Sequence, residues 1–221
     1  MELITKKQYG EIVLANIIAD KPADWQISDA THVRVSLPSD MENMLSMQQK
    51  GYQFVDRMLD VTINLKRCTV DLQRSIRIEP VLVSDRREEI TMLAQKSFVR
   101  DRRFHVETEY NQELANRIIE AWVEEIPEFY VCIYKENVIG FLVLKEAEDG
   151  KSAGIHLAAV DERYRTSGAA MSLYAKALQI GMEKGYQNIT GYISSYNTAV
   201  MNLYAYLGGA FSNPQDIYVK K

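Results

Sequence analysis

Apolar residues recur in two rhythms along this chain, in short unbroken blocks and at three-to-four-residue spacing. From Ala153 to Val160 the block is dense enough to predict a buried strand. After a polar turn, Ala170, Met171, Tyr174, Ala177, Leu178 and Gly181 fall on one face of a helix running from about Gly168 to Lys184, and Gly185 ends it. A second block, Asn188 to Ser194, predicts another strand. Asn197 then caps a helix on which Val200, Leu203, Tyr204 and Leu207 share a face, and Gly208 stops it. Upstream the pattern predicts a strand over Ile76 to Val83, a helix over Arg86 to Phe98 and a polar loop from Val99 to Asn111. A helix over Gln112 to Glu125 follows. Then comes a hairpin of Phe129 to Tyr134 and Val138 to Leu144 around Lys135-Glu136-Asn137. Gly150 marks the turn before the Ala153 strand.

The polar, basic stretch from Lys66 to Arg74 divides the chain, giving an amino-terminal module of about residues 1–70 and a larger domain of about 75–221. Within the module, His32 to Leu37 alternates as a strand, Asp40 is an N-cap, Met41 to Gln49 reads as a helix, and Leu59 to Leu65 reads as a strand after Gly51. The offset that carries Asp40 onto Asn197 also carries this series onto Ile189 to Ser194, the Tyr204 helix, Gly208 and the final strand. Met47 falls where Tyr204 falls, so the repeat lacks the phenol. It also lacks an anion-binding turn, which suits a packing or substrate-shaping role.

Composition narrows the function classes. Of 221 residues, 47% are hydrophobic and 25% charged, ordinary for a globular protein with an ample core. A net charge of −4 argues against a nucleic-acid binder. Cys68 and Cys132 are too few for a disulfide framework, and His32, His105 and His156 show no metal-ligand spacing, so no metal is expected. No run reaches membrane-spanning length and Met1 to Gly10 lacks a secretory core. A cytoplasmic protein with no membrane partner is the expectation.

The chemistry concentrates between the Ala153 strand and its helix. Arg165-x-x-Gly168-x-Ala170 puts small residues where backbone amides could approach an anion at a helix N-terminus. This turn resembles the Arg/Gln-x-x-Gly-x-Gly/Ala motif of the GNAT acyltransferases, with Thr166 where a glycine is frequent. Asn197-x-x-Val200-x-x-Leu203-Tyr204 resembles their second motif, Asn-x-x-Ala-x-x-Leu-Tyr, and Phe211 is displaced by Gly209-Ala210. Val138-Ile139-Gly140-Phe141 also matches. The resemblance covers about residues 76–221 and implies an α/β (α+β) fold with a mixed central sheet flanked by helices.

It further implies acetyl-CoA as cosubstrate, held by Ala158, Val160, Arg165, Thr166, Ser167, Gly168, Ala169, Ala170 and Asn197. Transfer to an amine by direct attack would use a backbone amide near Ala158 to Val160 for the carbonyl oxygen and Tyr204 as general acid. Read without the family, Tyr204 is a core aromatic and Asn197 a cap. The position where many members carry a glutamate is Gly154, so the base is vacant there. His156, two residues on and on the same strand face, is a candidate, against a plain reading as a buried, hydrogen-bonded histidine. Glu107, Glu109 and a water chain are others. The Phe98 to Phe104 loop resembles the GNAT subgroup that acetylates nucleotide-linked 4-amino-6-deoxy sugars. Its Arg100, Arg102 and Arg103 would grip a diphosphate, or form a solvated charge run. The expected partner is therefore a small-molecule amine, a sugar nucleotide among them, with a homodimer left open. Another amine acceptor (peptide, polyamine, aminoglycoside) and a non-catalytic acyl-CoA-binding module stay open as alternatives.

Overall fold

Ten strands hydrogen-bond into one mixed sheet in the computed structural model of the chain, which describes residues 2–99 and 112–220. The elements in chain order are β1 (Glu2–Tyr9), β2 (Ile12–Ala19), β3 (His32–Pro38), α1 (Met41–Gln49), β4 (Gln53–Asn64), α2 (Leu72–Ser75) and β5 (Val81–Val83). Then come α3 (Arg87–Ser97), α4 (Gln112–Glu124), β6 (Phe129–Tyr134), β7 (Asn137–Glu146), β8 (Ser152–Val160), α5 (Ala169–Glu183), β9 (Asn188–Ser194), α6 (Thr198–Tyr206) and β10 (Ala210–Lys220). The strand order is β1-β2-β3-β10-β4-β9-β8-β7-β6-β5. Among the described residues, β2 beside β3 and β8 beside β9 run parallel and the other strand pairs antiparallel.

Strand alternation sorts the core onto two faces. Phe129 and Val131 of β6, with Phe141 and Val143 of β7, pack against α3 and α4. Their sequence neighbours Cys132 and Leu142 face the other way, into the cluster built by α5 and α6. The α4 stripe of Leu114, Ala115, Ile118, Ile119 and Val123 is buried, as its spacing dictates.

Much of the chain folds as its pattern predicts: β6, β9 and α1 occupy the expected residues, and α3, α5, α6 and β8 differ at the ends only. Three differences stand out. The hairpin β1–β2 is not foreseen, because seven of the eight β1 residues are exposed and carry no alternation. Its register, Glu2↔Ala19 to Tyr9↔Ile12, makes it a strand. The strand expected over Leu59 to Leu65 begins at Gln53, since β4 is paired on both sides, with β10 and with β9. The strand expected over Ile76 to Val83 is only Val81–Val83. The residues before it are drawn onto α5, where the Ser172 hydroxyl oxygen accepts from the amides of Arg77 (2.9 Å) and Ile78 (3.2 Å).

Residues on both sides of the stretch from Lys66 to Arg74 contribute to the same sheet, because β4 lies between β10 and β9. Arg57 of β4 clasps Asp216 of β10 through Nε–Oδ1 (2.6 Å) and Nη2–Oδ2 (3.0 Å), with the carboxylate buried.

Candidate active site

The parallel strands β8 and β9 stay together for four residue pairs, Ser152↔Asn188 to Ile155↔Gly191, and pair no further. On its other edge β8 remains paired with β7, but the register slips between Leu157↔Val143 and Ile155↔Leu144. His156 is the extra residue of that bulge, and bulges bend and twist the strand that carries them. The bulge and the end of the β8–β9 ladder coincide, so beyond Ile155 the sheet is split. Ala158 and Val160 continue along β8 past this point, opposite Leu142 and Gly140.

Gly191 marks the vertex of the split. A Cβ there would collide with the Tyr204 hydroxyl, so glycine is what lets the α6 phenol reach the sheet. The Tyr204 side chain is buried, 1% exposed, and its ring meets Tyr174 of α5 edge-on with centroids 5.1 Å apart. Burial first, then the neighbouring Tyr174 oxygen and a hydrogen bond with it, push the Tyr204 phenol well above its usual range. The group is therefore a neutral O–H at physiological pH. Its location satisfies the core reading, and it also puts a proton donor at the vertex.

The turn after β8 is built from local hydrogen bonds. The Asp161 amide donates to the Ile139 carbonyl (2.9 Å), and its carboxylate accepts from the Arg163 amide (2.9 Å) and Nη2 (2.7 Å). The Arg163 hydrogen bond is the main cause that holds the Asp161 carboxyl below the usual range. Ser167 Oγ donates to the Tyr164 carbonyl (2.7 Å) and accepts from the Ala169 amide (3.2 Å), so this serine caps one helix donor itself. Gly168 caps α5 at φ +87, a conformation side chains resist, and a Cβ there would stand 2.8 Å from Arg77 Cδ. Ala169 is buried in the α5 core, whereas Ala170 is half-buried one residue further.

A cavity of about 460 Å³ opens over this turn, lined by Arg165, Thr166, Gly168 and Met171 on one side and Asp71, Arg74, Ser75 and Arg77 on the other. Its donor set, three guanidinium groups and a helix N-terminus, fits a phosphate anion. Asn197 caps α6 by accepting from the Val200 amide (3.3 Å) and is otherwise exposed.

A second cavity, of about 500 Å³, is lined by strand and turn residues only, among them Asp60, Thr62, Gly154, His156, Thr190, Tyr192, Ser212 and Asn213. His156 is exposed rather than buried, and its ring stacks on Trp122 of α4 at 6.1 Å and 28°. The bulge turns it outward, which corrects the buried reading. Arg100, Arg102, Arg103, Glu107 and Glu109 lie outside the described residues. Among the described residues, no group of three His, Cys, Asp or Glu could hold a metal ion and no helix is long and apolar enough to cross a membrane.

A model of the acetyltransferase (GNAT) family matches residues 89–208. The chain belongs to the GNAT acetyltransferases. No curated protein matches it by sequence. Solved structures share its fold at low identity. A conserved protein of unknown function from Staphylococcus epidermidis superposes with a TM-score of 0.65 at 14% identity, over 86% of this chain and 73% of that one. The glucosamine N-acetyltransferase region of a fungal multi-domain β-N-acetylglucosaminidase gives 0.63 at 11%, over 99% of this chain and 31% of that one. A tandem GNAT protein from the clavulanic acid biosynthesis pathway gives 0.58 at 12%, over 87% and 64%.

Within the GNAT frame, sequence reasoning missed Arg74, Arg77, Tyr174, Gly191 and Trp122. The basic character of Lys66 to Arg74 was visible as a boundary signal, and Arg77 was read as a strand residue. Nothing local says that it folds back onto a turn some ninety residues away. Gly191 interrupts an apolar block, and such a glycine does mark close approach by another group.

Proposed function

We propose that this GNAT protein transfers an acetyl group from acetyl-CoA to the primary amine of an amino sugar. The observation that carries the reading is the vertex at Ile155 and Gly191, where the sheet splits and the protonated Tyr204 hydroxyl stands. The residues fit the cosubstrate: Gly168 gives the turn its left-handed bend and room for Arg77; Arg165 and the α5 N-terminus would meet the pyrophosphate; and the edge of β8 from His156 to Val160 is open toward the split. Acetyl-CoA supplies an activated thioester carbonyl. The amine nitrogen bonds to that carbon as the carbon–sulfur bond breaks. A β8 amide near Ala158 to Val160 donates to the carbonyl oxygen as charge gathers there. Tyr204 gives its proton to the departing thiolate. The amine gives up its proton on the opposite side, where His156 is exposed in the second cavity and held by Trp122. Ordering both reactants along one split supplies much of the rate.

The second cavity supports this acceptor class. Hydroxyls of Thr62, Thr190, Tyr192 and Ser212, the Asn213 amide and the Asp60 carboxylate suit a polyhydroxylated amine. The glucosamine N-acetyltransferase region among the structural neighbours supports the same class. The finer reading, a nucleotide-linked sugar of the kind used by TDP-fucosamine acetyltransferase, rests on Arg100, Arg102 and Arg103. Thiol release from acetyl-CoA, measured across amino sugars, sugar nucleotides, polyamines, aminoglycosides and peptides, tests it. Turnover with amino sugars above the other amines is expected. Tight acetyl-CoA binding with no thiol released by any amine would make the chain an acyl-CoA-binding module instead.

A further inference from the structure

The segment joining β4 to β5 is a fixed piece of structure. Asp71 caps α2 by accepting from the Arg74 amide (3.1 Å), Ser172 of α5 holds the Arg77 and Ile78 amides, and Lys176 Nζ meets Glu79 Oε1 at 2.6 Å. These contacts hold Arg74 and Arg77 across the cavity from Arg165. Three arginines line that cavity with a single carboxylate, Asp71, whose Oδ2 lies 3.3 Å from Arg74 Nε. Three positive charges against one negative around a single cavity favour an anionic occupant. The Arg77 chain lies across Gly168, where any side chain would collide with it, so arginine and turn are fitted to one another. Tyr206, 62% exposed, lines the same cavity and offers an aromatic ring beside the cations.

We propose that Arg74 and Arg77 bind the 3′-phosphate of the coenzyme A adenosine, with Tyr206 under the adenine, so that the protein selects coenzyme A over 3′-dephospho-coenzyme A. This rests on the reading that the Arg165 to Ala170 turn takes the pyrophosphate. The pyrophosphate is met by Arg165 and the helix N-terminus. The two connector arginines add charge beyond that need, on the far wall of the cavity, where a second phosphate one ribose away can lie. Guanidinium groups pair with a phosphomonoester through two parallel hydrogen bonds, which a hydroxyl cannot reproduce.

Isothermal titration of the full chain with coenzyme A and with dephospho-coenzyme A tests the assignment. The unaltered protein should bind coenzyme A roughly 10- to 100-fold more tightly, the range for one or two charge-assisted hydrogen bonds. Arg77→Ala should bring the two affinities to within about threefold by weakening coenzyme A alone, and Arg74→Ala should do so in part. Arg165→Ala should weaken both ligands together. The preference should shrink as salt is raised. Equal affinities in the unaltered protein, or equal losses for both ligands in Arg77→Ala, overturn the assignment and leave the pyrophosphate site standing. If neither ligand binds, the pyrophosphate site falls as well.

Discussion

Two strand–helix–strand units of this chain are built alike and do different things. In the first, β3, α1 and β4 follow one another; in the second, β9, α6 and β10 do. Each helix has nine residues and an N-cap side chain that accepts from the amide three residues on, Asp40 from Asn43 (2.7 Å) and Asn197 from Val200 (3.3 Å). Each helix is followed by a glycine at positive φ, Gly51 at +78 and Gly208 at +84. Where β4 and β10 meet, the register is nearly self-symmetric: Ala210↔Thr62 and Phe211↔Val61 at one end answer Val219↔Gln53 and Tyr218↔Phe54 at the other. The preceding strands part company. β8 leaves β9 after Ile155↔Gly191, whereas β2 stays on β3 as far as Ile18↔Ser36. Where the second unit has α5 and its glycine turn, the first has a connector whose Trp25 packs edge-on against Tyr52 (6.4 Å, 87°). The frame is therefore shared, and the site proposed above depends on what the second unit adds: a bulge, a glycine at the vertex and a helix N-terminus. The first unit lends β4 residues Asp60, Val61 and Thr62 to the second cavity.

The sharpest way to break this contrast is at matched positions. Tyr204→Phe keeps the ring and removes the proton donor, so kcat should fall about 100-fold with acetyl-CoA affinity nearly unchanged. Met47→Leu, a volume-conserving change in the other helix, should cost under about 1.5 kcal/mol of stability and leave kcat alone. Steady-state kinetics and urea melts read both. A normal kcat in Tyr204→Phe would make the two helices equivalent packing elements.

The caps should separate next. Asp40→Ala should cost about 1 kcal/mol of stability, since Asp40 also accepts from Asn43 Nδ2 (2.7 Å), and should leave the acetyl-CoA KM unchanged. Asn197→Ala should cost less stability and raise that KM several-fold through one lost hydrogen bond. An unchanged KM would reduce Asn197 to a cap.

The smallest effect appears only in alkali. Tyr204 is held well above its ordinary value of 10.0, and Tyr218 is pushed up to about 12 by burial and by the Asp216 carboxylate. An unfolded phenol ionises near 10 while these folded ones keep their protons, so the unfolded state binds fewer protons above that pH. Stability is then full below about pH 10 and declines as pH climbs toward the folded values. Urea melts at pH 9 and 11 should show a decline that is shallower in Tyr204→Phe and unaltered in Met47→Leu.

The second unit was legible because its signals are local. Asn197, the Val200 to Leu207 face and Gly208 each act within one helix turn, and the Gly168 turn follows from its own composition. The parts that escaped depend on distant partners. β1 has no alternation to read, because it is a strand through its pairing with β2. Arg77 and Ile78 look like strand residues until Ser172 takes their amides. Tyr204 carried both of its readings in the sequence, and only the Gly191 gap and the Tyr174 contact show where its hydroxyl stands.

The place of β4 between β10 and β9 also bears on how the chain is made. Arg57 and Asp216 stand opposite each other across 159 residues of sequence, so their pairing closes a long loop of the chain. During synthesis β3 and β4 emerge well before β10, the strand that belongs between them. Until then two strand edges wait unpaired, open to a neighbouring nascent chain. The assembly step is a late, long-range insertion, the slow kind of contact. The arrangement thus makes β10, a strand far along the chain, the one that joins β3 to β4 in the sheet.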